Sequence, residues 1–435
     1  MPKLTTWLNR VVAFIIIIVT VPGNKLYAQP PQHLTIEGVY RLARENYPLI
    51  KERDLITKTK NYSVSNAARG YLPALNINGQ ATYQSAVTEL PFKIPNVTLP
   101  EYNKDQYNIH GELDQVIYDG GAIKNQKQAA TANEMALQQN LEVELYALYD
   151  RLNQLYLGII LVNEQIIQNG LVQKDIENGI EKAKAQVANG TAYRSSVDEL
   201  QAQLLTTDQS RVELSATRKA YLGMLGVFIN KPLDENTVLE KPAPPAITDA
   251  VRRPELLFYD YQKTAYDLQE QLLKDQLRPK FSFYAQGGYA RPGLNFLDND
   301  FAWYYIGGLR LSWSLGSWYT LKNQKNILEI DKTTLDIQKE TFLFNTSITQ
   351  QQQNSEMEKY LVLLKEDDNI IALRGSVKAA SAAQLENGAL SAHDYLTEVN
   401  AEDEARQNRI LHEVQLLQAQ FNYQNTMGNI NVKDQ

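Results

Sequence analysis

The sequence predicts an α+β membrane protein made of two structural repeats. Each repeat contributes two transmembrane β-strands and long antiparallel coiled-coil helices. Three observations lead there. The chain opens with a charged, then apolar, then small-residue segment of the kind that directs export. Its two halves carry the same structural punctuation at nearly constant spacing. Four segments of about ten residues alternate apolar and polar side chains, the length at which a tilted strand crosses a bilayer.

Composition narrows the function classes. The chain has 435 residues, 43 Lys+Arg and 50 Asp+Glu, a formal charge of -7. Hydrophobic residues make up 43% and mean hydropathy is -0.39, which excludes a polytopic helical membrane protein. The acidic balance argues against nucleic acid as a partner, which needs a basic footprint. Cysteine is absent, so disulfides, thiolate metal sites and a lipidated N-terminal Cys are excluded. His33, His110, His393 and His412 are far apart and form no ligand motif, so no metal and no cofactor is expected.

Residues 1–28 read as a signal peptide. Lys3 and Arg10 precede the apolar run Val11–Val21, Pro22 and Gly23 break it, and Ala28 offers a small residue at the cut. Eleven apolar residues are too few for the ~20 of a spanning helix.

The repeats follow from register. Pro48, Asp54, Pro73, Gln80 and Tyr83 recur as Pro254, Asp260, Pro279, Gln286 and Tyr289, an offset of 206. The offset then becomes 198: Tyr107 and Leu113 match Tyr305 and Leu311, Lys124-Asn125-Gln126-Lys127 matches residues 322–325, and Asn189-Gly190 matches Asn387-Gly388. The first half therefore has eight more residues between 84 and 106. Expected boundaries are 29–229 for the first repeat, 230–250 for a linker and 251–435 for the second.

Each half then reads helix, strand, strand, long helix, turn, helix. The opening helices are expected at about 35–69 and 250–277. The strands of the first half are expected at about 74–84 and 106–117, those of the second at about 280–290 and 303–314. Leu75, Ile77, Gly79, Ala81 and Tyr83 oppose Asn76, Asn78, Gln80 and Thr82. His110, Glu112 and Asp114 on the second strand and Arg310 on the fourth share the polar parity, and are candidates to line a barrel lumen. Placed so, Glu112, Asp114 and Arg310 are wall charges rather than acid–base catalysts. No phosphate loop or triad context supports an enzyme.

Long helices are expected at about 122–188 and 320–386, followed by helices at about 191–227 and 391–427. Leu141, Leu145, Leu148, Leu152, Leu155, Ile159, Val162 and Ile166 step 4-3-4-3-4-3-4, a heptad seam. Each long helix spans roughly 100 Å at ~1.5 Å per residue. Asn189-Gly190 and Asn387-Gly388 supply the stops. Four strands cannot close a barrel, and open edges in lipid are costly, so several copies must contribute strands. Two copies give eight strands, and three give twelve with room for a passage. The rival reading is a secreted coiled-coil scaffold or adaptor that forms no pore.

In this order the motifs resemble the TolC-like outer-membrane efflux protein family. They are Leu34-Thr35-Ile36-Glu37 to Asn46-Tyr47-Pro48, Gly70-Tyr71-Leu72-Pro73-Ala74-Leu75, Tyr118-Asp119-Gly120-Gly121, Arg253-Pro254-Glu255-Leu256, and Asn387-Gly388-Ala389-Leu390-Ser391-Ala392-His393-Asp394-Tyr395-Leu396. The resemblance spans nearly the whole mature chain. It implies a homotrimer with a twelve-stranded barrel in outer-membrane lipid, standing on a periplasmic α-helical barrel. The implied role is the exit duct of a tripartite efflux or type I secretion system. A periplasmic adaptor and an inner-membrane transporter are the implied partners.

The resemblance also implies sites. The turns at Asn189, Gly190, Asn387 and Gly388 are candidates for adaptor docking. Asp394, six residues past Gly388, matches an acidic gate position, and three copies near an axis would favour cations. Leu390 stands where some members carry a basic gate residue, Thr397 where a second acid can occur, and Ser196 at the equivalent place in the first half. Tyr193 and Arg194 lie near the first tip as candidates to bond across it.

Overall fold

A computed structural model describes residues 33–88, 102–295 and 298–430. The expected signal peptide lies outside them, as does the middle of the loop between 84 and 106.

The first half starts with a short strand β1 (His33–Leu34) and helix α1 (Ile36–Asn46). Thr35 caps α1, its Oγ1 accepting from the Gly38 N–H at 3.2 Å. The single helix expected at 35–69 is divided. Pro48 has no N–H to give and disfavours helix in the residue before it. α1 therefore ends at Asn46, a tight turn covers Pro48–Lys51, and α2 runs Glu52–Arg69. Strands β2 (Ala74–Tyr83) and β3 (Asp105–Tyr118) follow. The next helical stretch is interrupted at Ala147, giving α3 (Ala122–Tyr146) and α4 (Leu148–Ala188). The interruption lies where the rings of Tyr40, Tyr146 and Tyr149 pack edge to face. α5 runs Arg194–Ile229, three residues later than expected, because Tyr193 is its extended N-cap.

The second half has one helix before its long strands and two after them. A short strand β4 (Val238–Leu239) pairs in parallel with β1. α6 (Pro254–Asp275) opens with a proline at its first position, where no N–H is needed. Then come β5 (Lys280–Arg291), β6 (Ala302–Ser312), α7 (Trp318–Glu386) and α8 (Ala392–Met427).

The sheet order is β2-β3-β5-β6, antiparallel throughout. Its register stacks like with like. Leu75 pairs with Leu113, which pairs with Ala285, and Ile109, Tyr289 and Trp303 form one row. Leu75, Ile77, Ile109, Phe283, Trp303, Tyr305 and Leu309 therefore share one face. That face is bare: Trp303 is 82% exposed and Tyr305 87%. Among the described residues β2 and β6 each pair on one side only.

Beside the strands the helices pack in the same order, α2 on α3, α3 on α6 and α6 on α7. Beyond Ala147 the neighbours change, and α4 lies between α5 and α8 while α7 packs on α8. Of the heptad seam, Leu141, Leu145, Leu148, Leu152, Ile159 and Val162 are buried. Tyr156, Leu157 and Ile160 are buried as well, since α4 has neighbours on two sides. They join Ile36, Val39, Leu222, Leu225, Ile229, Leu417 and Phe421 in the largest core, where α1, α4, α5 and α8 meet. Each such Leu or Ile contributes about 1.5–3 kcal/mol on burial. Tyr156 fixes the chain entry there, its hydroxyl lying between two backbone acceptors, Leu34 O at 2.7 Å and Glu240 O at 2.6 Å.

The edge helices leave apolar stripes bare. Ile330, Ile337 and Phe344 on α7 are exposed at seven-residue spacing, as are Leu55 and Tyr62 on α2 and Leu205 and Val212 on α5.

Candidate functional site

Two groups of residues are candidates for a functional site, one at the helix tips and one on the polar face of the sheet.

The tips are built twice by the same backbone rule. Gly190 and Gly388 take positive φ, 72° and 71°. Thr191 N–H reaches Gln186 O at 2.9 Å, and Ala389 N–H reaches Gln384 O at 2.9 Å. Each of these bonds spans the glycine and closes the last helical turn. An open cleft of about 610 Å³ lies between the two long-helix ends. Its lining includes Lys182, Gln186, Asn189, Glu386, Asn387 and Gly388, so the two tip turns share one surface. Lys182 Nζ donates to Ala382 O at 3.2 Å and pairs with Glu386 at 2.9 Å.

Asp394 stands in the first turn of α8. Ser391 Oγ accepts from the Asp394 N–H at 3.1 Å and donates to Asp394 Oδ2 at 2.6 Å. The carboxylate thus accepts from the N-cap hydroxyl and faces the positive end of the helix dipole. It remains exposed, while Leu390 packs partly buried against the tip core of Ile176, Ile180, Leu200, Leu385 and Val399. Tyr193 and Arg194 are both exposed, and within one copy neither bonds Asp394 among the described residues. His393 Nδ1 lies 2.9 Å from Glu199 Oε1, joining α8 to α5. The hydrogen bond to Glu199 and its charge raise the imidazole above its ordinary value.

Three turns above the tip is a charge cluster that sequence reasoning missed. Lys378 on α7 donates to Asp175 Oδ2 on α4 at 2.7 Å and to Glu402 Oε2 on α8 at 3.1 Å. Glu402 is 2% exposed and also accepts from Arg406 Nε. Burial works against the Lys378 charge, yet hydrogen bonds to Asp175 and Glu402 hold its pKa above the usual lysine value. Tyr395 seals the cluster, its hydroxyl donating to Asp175 O at 3.0 Å. Burial, with Asp175 adding to it, pushes this phenol up to about 12. Gly179 permits the approach, since a Cβ there would lie 2.7 Å from the Tyr395 ring.

On the sheet, the four residues of polar parity lie on one face, and three of them meet. Arg310 Nη2 donates to Glu112 Oε1 at 2.7 Å, and Nη1 donates to Asp114 Oδ1 at 3.1 Å. The guanidinium lies over the Tyr284 ring, 4.6 Å from its centroid. His110 keeps apart, with Nδ1 3.0 Å from Asn108 Oδ1 and Nε2 3.5 Å from Asn78 Nδ2. Tyr304 donates to the same Asn108 oxygen at 3.0 Å. At the loop end of the opposite face, Arg291 pairs with Asp105 and lies over Tyr107 and Phe301, at 5.2 and 5.0 Å.

No protein-family model and no curated protein matches the sequence. Solved structures do match. The outer membrane protein VceC of Vibrio cholerae superposes with a TM-score of 0.64 at 13% identity, over 90% of this chain and 96% of that one. The Campylobacter jejuni CmeC outer membrane channel gives 0.62 at 12% identity, over 92% and 87%. The Neisseria gonorrhoeae MtrE outer membrane channel, in its open state, gives 0.63 at 13%, over 92% and 90%. The chain therefore has the fold of these outer membrane proteins along nearly its full described length.

Proposed function

We propose that this chain is the outer-membrane exit duct of a tripartite efflux or type I secretion system in a Gram-negative envelope, and that three copies build it. Substrates pass from the periplasm or an inner-membrane pump to the exterior. The observation that carries the reading is the sheet itself. One face is apolar and bare, the other holds Glu112, Asp114 and Arg310, and among the described residues both edges are unpaired. In water such a face and such edges invite aggregation. In a bilayer the apolar face is solvated by lipid, and the edges must pair with those of other copies.

The helices support the same arrangement. The bare stripe on α7 at one edge of a copy and those on α2 and α5 at the other suit head-to-tail packing. Such a contact closes into a ring when the rotation allows. Three copies supply twelve strands around a passage, on a tube of helices roughly 100 Å long. A scaffold that forms no pore has no use for the bare apolar face. The tip turns at Asn189-Gly190 and Asn387-Gly388, with the cleft between them, are the surface we assign to the periplasmic adaptor. Asp394 and Leu390, ringed around the axis, are the candidate narrowing, with Tyr193 and Arg194 placed to bond a neighbouring copy.

The experiment is insertion of purified protein into a planar bilayer. Stepwise ion conductance is expected. A protein that is released from membranes by salt and never conducts would overturn the reading in favour of the scaffold.

A further inference from the structure

We infer that Arg310 sets the ion preference of the barrel lumen by cancelling one of the two carboxylates it straddles. This rests on the exit-duct reading and adds to it a determinant in the barrel, far from the tips.

The register explains the geometry. Arg310 on β6 sits opposite Ser282 on β5, while Asp114 on β3 sits opposite Tyr284 and Glu112 opposite Gln286. The guanidinium must therefore cross a whole strand to reach its partners. It does so over the Tyr284 ring, which has room because its other neighbour in the row is Gly308. A Cβ on Gly308 would lie 3.2 Å from that ring. Bonds to Glu112 at 2.7 Å and to Asp114 at 3.1 and 3.3 Å, with the ring beneath, hold the positive charge flat against the wall.

Arg310 therefore neutralises the wall rather than projecting into the passage. Two acids face one base, leaving one net negative charge at this level in each copy. The other charge-bearing side chains of the same parity lie at other levels of the wall and stay the same when Arg310 or Glu112 is substituted. Lys280 lies at the helix-side end of β5, opposite Ser312, and His110 bonds to amides. Three copies repeat the arrangement around the axis, where charged rings govern ion passage.

The test is the reversal potential of single channels in a potassium chloride gradient. Arg310→Gln uncovers a second carboxylate per copy, and the cation-to-anion permeability ratio should rise about threefold, the scale of three screened charges at roughly 10 Å. Glu112→Gln should lower the ratio by a similar factor. Arg310→Lys keeps the charge but not the fork, and should leave the ratio near that of the unaltered protein. A merely structural clamp would change stability in the Gln and Lys variants alike and leave the reversal potential unmoved. Channels whose ratio is the same in all variants would overturn the inference while leaving the exit duct intact. Should Arg310→Gln yield no channels, Glu112→Gln decides alone. Absence of conductance from the unaltered protein would instead sink the exit duct, and this inference with it.

Discussion

Gly190 and Gly388, 198 positions apart, end the two long helices with the same left-handed turn, φ 72° and 71°. Neither would meet another atom within 4 Å if it carried a Cβ. Their requirement is thus one of backbone conformation alone. Gly388→Ala should cost about 1 kcal/mol at the tip. Amide exchange over the last turn of α7 should accelerate about fivefold, and Gly388→Asn should do less. Equal exchange in the alanine variant would mean the turn is not held this way.

Gly428 provides the contrast. It too has positive φ, 79°, but a Cβ there would lie 2.4 Å from the Arg252 carbonyl carbon. No side-chain rotation relieves a clash with backbone. Gly428→Ala should cost about 3 kcal/mol. Protection of the Arg252 amide, which donates to Met427 O at 2.7 Å, should be lost first. A cost no larger than that of Gly388→Ala would contradict the close packing here.

Lys378→Met removes the cation shared by Asp175 and Glu402. Glu402 is 2% exposed and would keep only Arg406. Stranding part of a buried charge should destabilise the α4–α7–α8 contact by about 2 kcal/mol. The raised lysine pKa means this support is fully present below the ordinary lysine value and fades as pH rises through the folded one. Protease nicking near the tips, compared at pH 7 and above pH 10.5, measures it. Equal nicking of variant and parent at pH 7 would show the cluster to be idle.

His393 should titrate above its ordinary value because Glu199 bonds and attracts the imidazolium, with a smaller contribution from Asp394. The contact therefore supports the packing of α8 on α5 below pH 6.5 and weakens as pH climbs through the folded value. Glu199→Gln should return the His393 titration, followed by NMR, towards 6.5. An unmoved midpoint would remove the pair from the tip.

The strands were legible because period-two alternation shows in a single segment. β2 and β5 lie within two residues of their expected limits. The helix stops were legible because glycine is required at positive φ. Pro48 was visible as a breaker, yet the division of the first helix into α1 and α2 needed the structure. What sequence did not reveal is side-to-side order. Nothing local says that α3 packs between α2 and α6, since that depends on strand order. The candidate lumen charges show the same limit. Glu112, Asp114 and Arg310 were found by parity, but their contact spans 196 to 198 positions. Lys378 and Asp175, 203 positions apart, each look like a solvated charge on a polar helix face and gave no signal.

Assembly is the premise on which the proposed duct, lumen and tip ring all stand. The most direct measurement is the mass of the detergent-purified particle, corrected for bound detergent, beside that of the same protein without detergent. Three chains per particle, with precipitation when detergent is withdrawn, is the expected result. A single chain that stays dispersed in plain buffer would contradict it.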